Sequence, residues 1–262
     1  MSDYTKDGVL YCGTCNKPKE KILTVLGKDI HIDKICECEK AEEEKRKAKI
    51  EEQRAKDENA RRQEIIERNR KKCFESQEQM NYTFDNDDNK NEISKIAKNY
   101  AEKFEDLNGL GLLLYGSVGT GKTYSACCIA NALIDKGYKV LVTNFPKIAN
   151  ELQSTFEKQE YIDKLVGFDL LVIDDLASER RTEYMDEMVT NVIDSRYRNG
   201  KPVIITTNLK AEDMVSSGDV NRQRIYSRLY EMCYPYETKG EDRRKNKRKK
   251  IKEKYKGVLE ND

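Results

Sequence analysis

The feature that most constrains this chain is a glycine-rich octapeptide between an apolar strand pattern and an apolar helix pattern. Residues 116–123 read Gly-Ser-Val-Gly-Thr-Gly-Lys-Thr, directly after Gly111–Tyr115 and before a helix pattern that ends near Gly137. Glycines let the backbone bring its N–H groups close to phosphate oxygens, and the following helix N-terminus then faces the anion. This order of elements predicts a phosphate-binding loop in an α/β domain.

Each part of the octapeptide has its own expected task. Lys122 is expected to supply positive charge to the β- and γ-phosphates of ATP, and the Thr123 hydroxyl can take one coordination position of Mg²⁺. A plain glycine turn is the alternative interpretation. The predicted nucleotide-binding residues of the octapeptide are Gly116, Ser117, Val118, Gly119, Thr120, Gly121, Lys122 and Thr123.

Polar side chains follow two further apolar strand patterns. Leu170–Ile173 leads into Asp174 and Asp175, and Val203–Thr207 leads into Asn208. We expect Asp174 to contribute to Mg²⁺ binding and Asp175 to orient the attacking water as a general base. Asn208 could hydrogen-bond the γ-phosphate or that water, although an asparagine that merely caps a strand end is the alternative.

Four apolar segments alternate with helix patterns and define the predicted fold. They are Gly111–Tyr115, Lys139–Thr143, Leu170–Ile173 and Val203–Thr207. Strands that are apolar throughout are typical of a parallel sheet covered by helices on both faces. The alternation therefore predicts an α/β fold with a parallel, doubly wound sheet.

Two arginines lie four residues apart on a predicted helix, Arg224 and Arg228. Residues at this spacing share one helix face, so one of them could reach the γ-phosphate bound to a neighbouring subunit. An arginine supplied in this way accelerates hydrolysis in other nucleotide hydrolases by about 10³ to 10⁵. This interpretation requires a homo-oligomer, whereas surface ion pairing is the alternative.

Two cysteine pairs near the N-terminus have metal-site spacing. Cys12 and Cys15 form one pair, and Cys36 and Cys38 form the other. Four thiolates are the ligand set of a structural tetrahedral Zn²⁺ site, and they leave no open position for catalysis. His31, the one histidine of the chain, lies between the pairs and could replace one cysteine.

A long charged segment follows the cysteines. Residues 39–72 contain no glycine or proline and hold 23 charged side chains in 34 positions. This composition predicts a solvated helix of roughly 50 Å, with a coiled coil as the alternative. The predicted division is a zinc-binding module at 1–38, a charged helical linker at 39–79, an ATPase domain at 80–242 and a basic tail at 243–262.

The net charge of +1 conceals this tail, which carries ten Lys/Arg against three acids. It could be a nucleic-acid arm or a solvated, disordered end. No run of 18 apolar residues occurs, and the start of the chain lacks the apolar stretch of a signal peptide. We therefore expect a cytoplasmic protein that has no membrane partner.

The ordered set of motifs between about Met80 and Arg244 resembles the AAA+ ATPases of the DnaC/DnaI helicase-loader and IstB transposition-ATPase group. The motifs are Gly-Ser-Val-Gly-Thr-Gly-Lys-Thr, Leu-Val-Ile-Asp-Asp-Leu-Ala-Ser-Glu-Arg, Ile-Asp-Ser-Arg-Tyr-Arg-Asn-Gly-Lys-Pro, Thr-Thr-Asn-Leu and Arg-Ile-Tyr-Ser-Arg-Leu. The resemblance implies an AAA+ domain, here preceded by the small zinc-binding module and the long charged helix.

The same resemblance assigns roles to single residues. It implies that Asn208 is sensor 1, that Arg228 is the finger presented to the adjacent subunit, and that Arg224 supports it. Either Arg243 or Arg244 matches the last arginine that some members place near the nucleotide.

The resemblance also implies partners. A helical insertion corresponding to Pro146–Tyr161 offers Lys147, Phe156 and Lys158 for contact with single-stranded DNA. The cysteine module is similar to the helicase-contacting domain of some Gram-positive and phage loaders.

These features bear on four possible functions. The first is loading of a DnaB-type hexameric replicative helicase onto single-stranded DNA. The alternative is an IstB-like ATPase that remodels DNA and recruits a transposase. A nucleotide-gated adaptor without hydrolysis conflicts with the presence of Asp174, Asp175, Asn208 and Arg228, and a small-molecule kinase needs neither the sensor nor the finger.

Overall fold

The computed structural model describes residues 2–87, 91–176, 183–215, 220–240 and 242–259. The chain divides into two compact units, Met1–Glu64 and Ile65–Asp262. The division into four parts by function stays a prediction.

Two antiparallel hairpins form the sheet structure of the first unit. Strands β1 (Tyr4–Lys6) and β2 (Val9–Tyr11) form one hairpin, and β3 (Glu20–Val25) and β4 (Lys28–Asp33) form the other. Leu26 and Gly27 make the second turn, with φ values of 53° and 76°. Two consecutive positive φ values suit the right-handed twist of a hairpin.

Helix α1 (Glu37–Cys73) runs for 37 residues and contains the predicted helix 39–72. Its amino acids are strong helix formers, and pairs such as Glu43–Lys47 add i,i+4 attraction on its exposed surface. Its buried residues, Ile66 and Cys73, lie near its C-terminal end and pack into the core of the second unit.

The second unit alternates helices and strands. In chain order its elements are α2 (Gln77–Met80), α3 (Glu92–Glu102), β5 (Gly111–Gly116), α4 (Lys122–Asp135), β6 (Val140–Asn144), α5 (Phe145–Ser154), α6 (Lys158–Val166), β7 (Leu170–Asp174), α7 (Glu183–Arg198), β8 (Val203–Thr206), α8 (Ala211–Val215), α9 (Val220–Met232), β9 (Cys233–Thr238) and α10 (Arg243–Leu259).

The sheet has the order β6-β7-β8-β5-β9, and every neighbouring pair is parallel. The four strands expected from apolar runs are present within a residue or so of their predicted ends. Strand β9 is a fifth strand that the sequence does not predict, because Cys233–Thr238 is only partly apolar and contains Pro235. Proline is tolerated there because β9 is an edge strand.

Alternate residues of the central strands face two separate apolar cores. Leu113 packs into the core formed with α5, α6, α7 and α9, whereas Leu112 and Leu114 pack into the core formed with α3 and α4. Both faces of the sheet are therefore covered, which confirms the predicted doubly wound α/β fold. No helix among the described residues combines the length and apolar character needed to cross a membrane.

Candidate functional site

The glycine-rich loop joins β5 to α4 at the carboxyl edge of the sheet, as predicted. Gly116, Gly119 and Gly121 have φ values of 117°, 78° and 97°, which side chains other than glycine rarely adopt. The Thr120 hydroxyl donates to the Ser117 carbonyl at 2.9 Å and so braces the turn. The glycines of the loop thus adopt positive φ values, and the Thr120 hydrogen bond stabilises this conformation.

Lys122 begins helix α4 and points back across the loop. Its ammonium donates to the carbonyls of Gly116 at 2.9 Å and Ser117 at 2.7 Å, and its side chain is largely buried. Burial lowers the pKa of Lys122 from its usual value, which the charges of Asp175 and Asp174 partly oppose. A poorly solvated cation beside a glycine-rich loop is suited to an anionic ligand.

Three oxygen atoms converge between α4 and the ends of β7 and β8. Asp174 Oδ1 accepts from Thr123 Oγ1 at 2.8 Å and from Thr206 Oγ1 at 2.6 Å. Burial raises the pKa of Asp174 above its usual range, although the two hydroxyl donors oppose this. A hard cation would offset the cost of burying this carboxylate, and hydroxyl and carboxylate oxygens are the donors that Mg²⁺ prefers. The residues present therefore fit Mg²⁺.

Asp175 and Asn208 form the next contact along this edge. Asn208 Nδ2 donates to Asp175 Oδ1 at 3.1 Å, and the backbone N–H of Asp175 donates to Thr206 Oγ1 at 2.8 Å. Asp175 has a φ of 55°, a conformation that turns the chain sharply out of β7. The predicted acid and the predicted sensor are thus brought together, with Thr206 linking them to Asp174.

The predicted arginines lie on α9, and both contact Asp194 of α7. Arg228 Nε donates to Asp194 Oδ1 at 3.3 Å, and Arg224 Nη2 lies 3.6 Å from Asp194 Oδ2. Arg228 also contacts Glu231 and the face of Tyr197. None of these contacts involves the glycine-rich loop of the same chain. The geometry accordingly permits a role toward another subunit as well as the ion-pair interpretation.

The end of β9 and the start of α10 also contact the loop. The resemblance implies an arginine here, but the sequence does not predict the contact of Thr238. The hydroxyl oxygens of Thr238 and Thr120 are 2.7 Å apart, and the Arg243 N–H donates to the Gly119 carbonyl at 3.1 Å. Arg243 Nη1 lies 3.7 Å from the position that a Cβ would take on Gly121. Of the two arginines left open, Arg243 thus lies against the loop. The signal that could have found β9 is weak, because its partner strand is more than a hundred residues away.

Arg196 also has a structural role near the site that the sequence does not predict. Its guanidinium is fully buried and donates to the carbonyls of Leu165 at 2.6 Å, Phe168 at 3.2 Å and Pro202 at 2.6 Å. It therefore ties α7 to the segments that enter β7 and β8. Residues 177–180 of the motif that contains Asp174 and Asp175 lie outside the described residues.

The four cysteines predicted as zinc ligands cluster in the first unit. The sulfurs of Cys12, Cys15, Cys36 and Cys38 all lie within 4.8 Å of one another. Tetrahedral Zn²⁺ with bonds of about 2.3 Å sets neighbouring sulfurs about 3.8 Å apart, so this spacing fits the ion. His31 does not join the cluster, because its ring pairs with Glu20 at 2.6 Å.

The thiol chemistry of the cluster also fits a cation. Hydrogen bonds from the backbone N–H groups of Cys15 and Thr14 lower the pKa of Cys12 to about 6. Contacts with the other three thiols raise the pKa of Cys38. Four thiolates this close repel one another unless a cation lies between them.

A fold of this kind, with this loop and acidic strand ends, defines an AAA+ P-loop ATP-binding protein. The family model described as "IstB-like ATP binding protein" matches residues 32–251. The chain belongs to this family.

Relatives and solved structures agree with this assignment. The chain is 27% identical over 165 residues to the replicative helicase loader DnaI of Bacillus subtilis, covering 58% of this chain and 52% of that protein. It is 30% identical over 139 residues to the replicative helicase loader DnaC of Escherichia coli, covering 51% and 56%. A crystal structure of DnaI is similar with a TM-score of 0.56 and 26% identity, covering 67% of this chain and 99% of the other. The chain spans about half the length of the curated relatives it matches.

Proposed function

We propose that this protein is an ATPase that loads a hexameric replicative helicase onto single-stranded DNA and acts as a homo-oligomer. The observation that carries the proposal is the hydrogen-bonded series Thr123, Asp174, Thr206, Asp175 and Asn208 beside a glycine-rich loop. Relatives named as replicative helicase loaders support the assignment of its task.

ATP binding rests on the backbone of residues 116–123, with Lys122 as the cation for the β- and γ-phosphates. Thr123 and Asp174 would hold Mg²⁺. When bound, Mg²⁺ supplies charge neutralisation at the phosphate oxygens. Asp175 accepts a proton from the attacking water or orients it, and Asn208, which donates to Asp175, fixes the direction of that carboxylate.

The finger is supplied by a second copy of the chain. Arg228 is held on α9 by Asp194 and Glu231, so its guanidinium is partly ordered before any subunit contact forms. Preorganisation of this kind reduces the conformational entropy lost when the arginine engages its target. Hydrolysis should therefore depend on oligomer formation.

Partner capture is assigned to the first unit, in which the cysteine cluster would hold structural Zn²⁺. Zinc binding contributes roughly 10 to 16 kcal/mol in small zinc-finger peptides. The unit needs such a contribution, because its hairpins bury few apolar side chains. Helix α1 should form without the metal. The folding of the two hairpins is the part of this unit that depends on it.

One face of the β3–β4 hairpin suits a protein partner. The register pairs Leu23 with Ile30 and Lys21 with Ile32, which places these side chains on one face. Leu23, Ile30 and Ile32 are between 39% and 48% exposed, and Leu26 at the tip is fully exposed. An exposed apolar strip beside a lysine matches a partner surface that is apolar with acidic residues at its rim.

Single-stranded DNA contact is assigned in part to the segment between α5 and α6. Phe156 is fully exposed there, and bases stack on aromatic side chains with about 1 to 3 kcal/mol each. Lys158 lies close to it along the chain and contacts Tyr184. Phe156→Ala should therefore weaken binding of oligo-dT roughly five- to hundredfold, as measured by fluorescence anisotropy.

The deciding experiment measures helicase loading directly. The purified replicative helicase of the source organism is incubated with circular single-stranded DNA, Mg²⁺-ATP and this protein, and the DNA-bound helicase is quantified after gel filtration. We expect wild type to increase the retained helicase, and Leu23→Asp/Ile30→Asp to abolish the increase while ATP binding is unchanged. Ile22→Asp, an exposed apolar residue on the opposite hairpin face, serves as the matched control. No increase with wild type would contradict the loader function.

A second function is favoured by the family description and by one relative. The chain is 34% identical over 103 residues, or 38% of its length, to a putative insertion sequence ATP-binding protein of Sinorhizobium fredii. In that case the partner is a transposase and the DNA is duplex. Retention of a transposase on duplex DNA, with no effect on helicase loading, would establish this alternative.

A further inference from the structure

The first turn of α10 and the end of β9 are hydrogen-bonded to the glycine-rich loop. The backbone N–H of Arg243 donates to the Gly119 carbonyl, and the Thr238 hydroxyl contacts the Thr120 hydroxyl. A Cβ on Gly119 would come within 1.9 Å of Asp242 Oδ1. Movement of this turn therefore cannot occur without a change in the contacts of the loop.

Helix α10 is strongly basic from its first turn onward. Seven of the eight residues at 243–250 are Lys or Arg, and none of the eight is acidic or apolar. Arg248, Lys249 and Lys252 are exposed. A run of exposed cations on one short helix is suited to successive phosphates of a nucleic-acid backbone.

We propose that α10 binds nucleic-acid phosphates, and that its first turn couples this binding to nucleotide in the glycine-rich loop. The inference rests on the proposed function for ATP in the loop, and adds a DNA-binding element outside the α5–α6 segment. Asp242 is the residue through which the two sites communicate.

The coupling follows from the charge of Asp242. Its carboxylate lies against Gly119 and accepts from the Arg244 N–H at 2.9 Å, so it caps α10 while facing the loop that receives phosphates. A carboxylate and a phosphate repel each other at such short range. Nucleic acid that draws α10 from the loop removes this repulsion. It also withdraws Arg243, but the charge of that guanidinium is partly offset by Asp87, whose Oδ1 lies 3.9 Å from Arg243 Nη1. By reciprocity, nucleotide raises the affinity of α10 for nucleic acid by the same factor.

Nucleic acid is favoured over a membrane surface as the ligand. The apolar residues of α10 with described exposure, Ile251, Tyr255, Val258 and Leu259, all lie in its second half. A helix that lies on a membrane needs an apolar face along the length that binds. The basic half of α10 has no such face, whereas phosphate contacts require only cations.

Salt dependence tests the binding element. Full-length protein is titrated into fluorescein-labelled oligo-dT at several salt concentrations, with Arg248→Gln/Lys249→Gln/Lys252→Gln compared with Lys45→Gln/Lys47→Gln/Lys49→Gln on α1. For three lost phosphate contacts, the slope of log K against log salt should become less negative by roughly 2 in the α10 variant only. Equal slopes for both variants would overturn the inference, as would a loss of binding to anionic vesicles in the α10 variant with oligo-dT binding unchanged.

Nucleotide affinity tests the coupling. Binding of a fluorescent ATP analogue is measured with and without oligo-dT for wild type and Asp242→Asn, because asparagine keeps the helix cap without the charge. DNA should raise the affinity of wild type about fivefold or more. The variant should bind nucleotide more tightly without DNA and gain little from it. An equal DNA effect in both proteins would overturn the coupling, while normal ATP binding and helicase loading would leave the proposed function intact.

Discussion

The Thr206 hydroxyl contacts both acidic residues at the end of β7. It donates to Asp174 Oδ1 and accepts from the Asp175 N–H, and it lies on β8 beside the strand that carries them. One side chain thus fixes the direction of the proposed Mg²⁺ ligand and the conformation of the proposed base. Thr206 is a positioning residue, because neither of its contacts involves the reacting atoms.

Thr206→Val should keep the shape of the strand and remove both hydrogen bonds. We expect ATPase activity to fall roughly 10- to 100-fold, with a higher Mg²⁺ concentration needed for half-maximal rate. Steady-state kinetics over a Mg²⁺ titration measures this. Thr143→Val, a buried threonine near the end of β6 in the same sheet, is the control. A loss of rate with an unchanged Mg²⁺ requirement would argue for a merely structural effect.

Asp174 should lower the stability of the protein when no cation is bound. Burial raises its pKa above the ordinary value of 3.8, so the folded protein keeps this proton to higher pH than the unfolded chain does. The stability associated with this group is therefore highest at low pH, and it is lost as pH rises through the raised folded pKa.

Asp174→Asn should accordingly have a higher Tm than wild type at pH 8, and the difference should shrink as pH approaches 4. Thermal unfolding without Mg²⁺ or nucleotide across this pH range measures the effect. Asp163→Asn, at an exposed position of α6, is the matched control. A Tm difference between Asp174→Asn and wild type that does not vary with pH would count against the buried carboxylate as its cause.

Sequence patterns predict residues that end apolar strands better than residues that reach a site from elsewhere. Asp174, Asp175 and Asn208 follow recognisable strands, and the structure brings them together. Thr206 is hidden within an apolar strand, and Asp242 reaches the loop from a segment more than a hundred residues away. Such long-range contacts are set by tertiary packing, which no local pattern encodes.

Among the secondary-structure elements, α7 is connected to the segments around the sheet by hydrogen bonds from a fully buried arginine. Arg196 donates to three backbone carbonyls that end α6 or flank β7 and β8. Burial lowers its pKa to about 10, which still leaves it charged at neutral pH. Contacts between elements also explain why the sequence does not predict β9. An edge strand that contains proline depends on pairing with its neighbour β5 rather than on its own sequence pattern.

Arg196→Met should remove these hydrogen bonds and leave buried carbonyls without a donor. We expect the free energy of unfolding to fall by roughly 3 kcal/mol or more. Urea denaturation monitored by circular dichroism measures it. Arg198→Met, two residues along the same helix and exposed, should change stability by no more than about 0.5 kcal/mol. Similar losses in both variants would exclude a special role for Arg196.

For the whole molecule, we expect the residues needed for hydrolysis to come from two subunits. The loop, the acids and Asn208 lie together at one edge of the sheet, whereas Arg228 is engaged with Asp194 and Glu231 on α9. On the proposed function, a complete hydrolytic site would combine the loop of one copy with the finger of another. Activity should then rise with protein concentration, because the proposed catalytic unit is an interface between two copies.

Subunit mixing tests this arrangement. Lys122→Ala should fail to bind ATP but still offer Arg228, whereas Arg228→Ala should bind ATP but offer no finger. Each alone should be nearly inactive, with a loss of about 10³ or more for Arg228→Ala. In an equal mixture, half of the loops are intact and half of their neighbours carry a finger, so roughly a quarter of the wild-type ATPase rate should return. Mixing Arg228→Ala with the double variant Lys122→Ala/Arg228→Ala should restore nothing. If the first mixture is equally inactive, while both variants still oligomerise, the finger does not act between subunits and Arg228 serves its ion pairs alone.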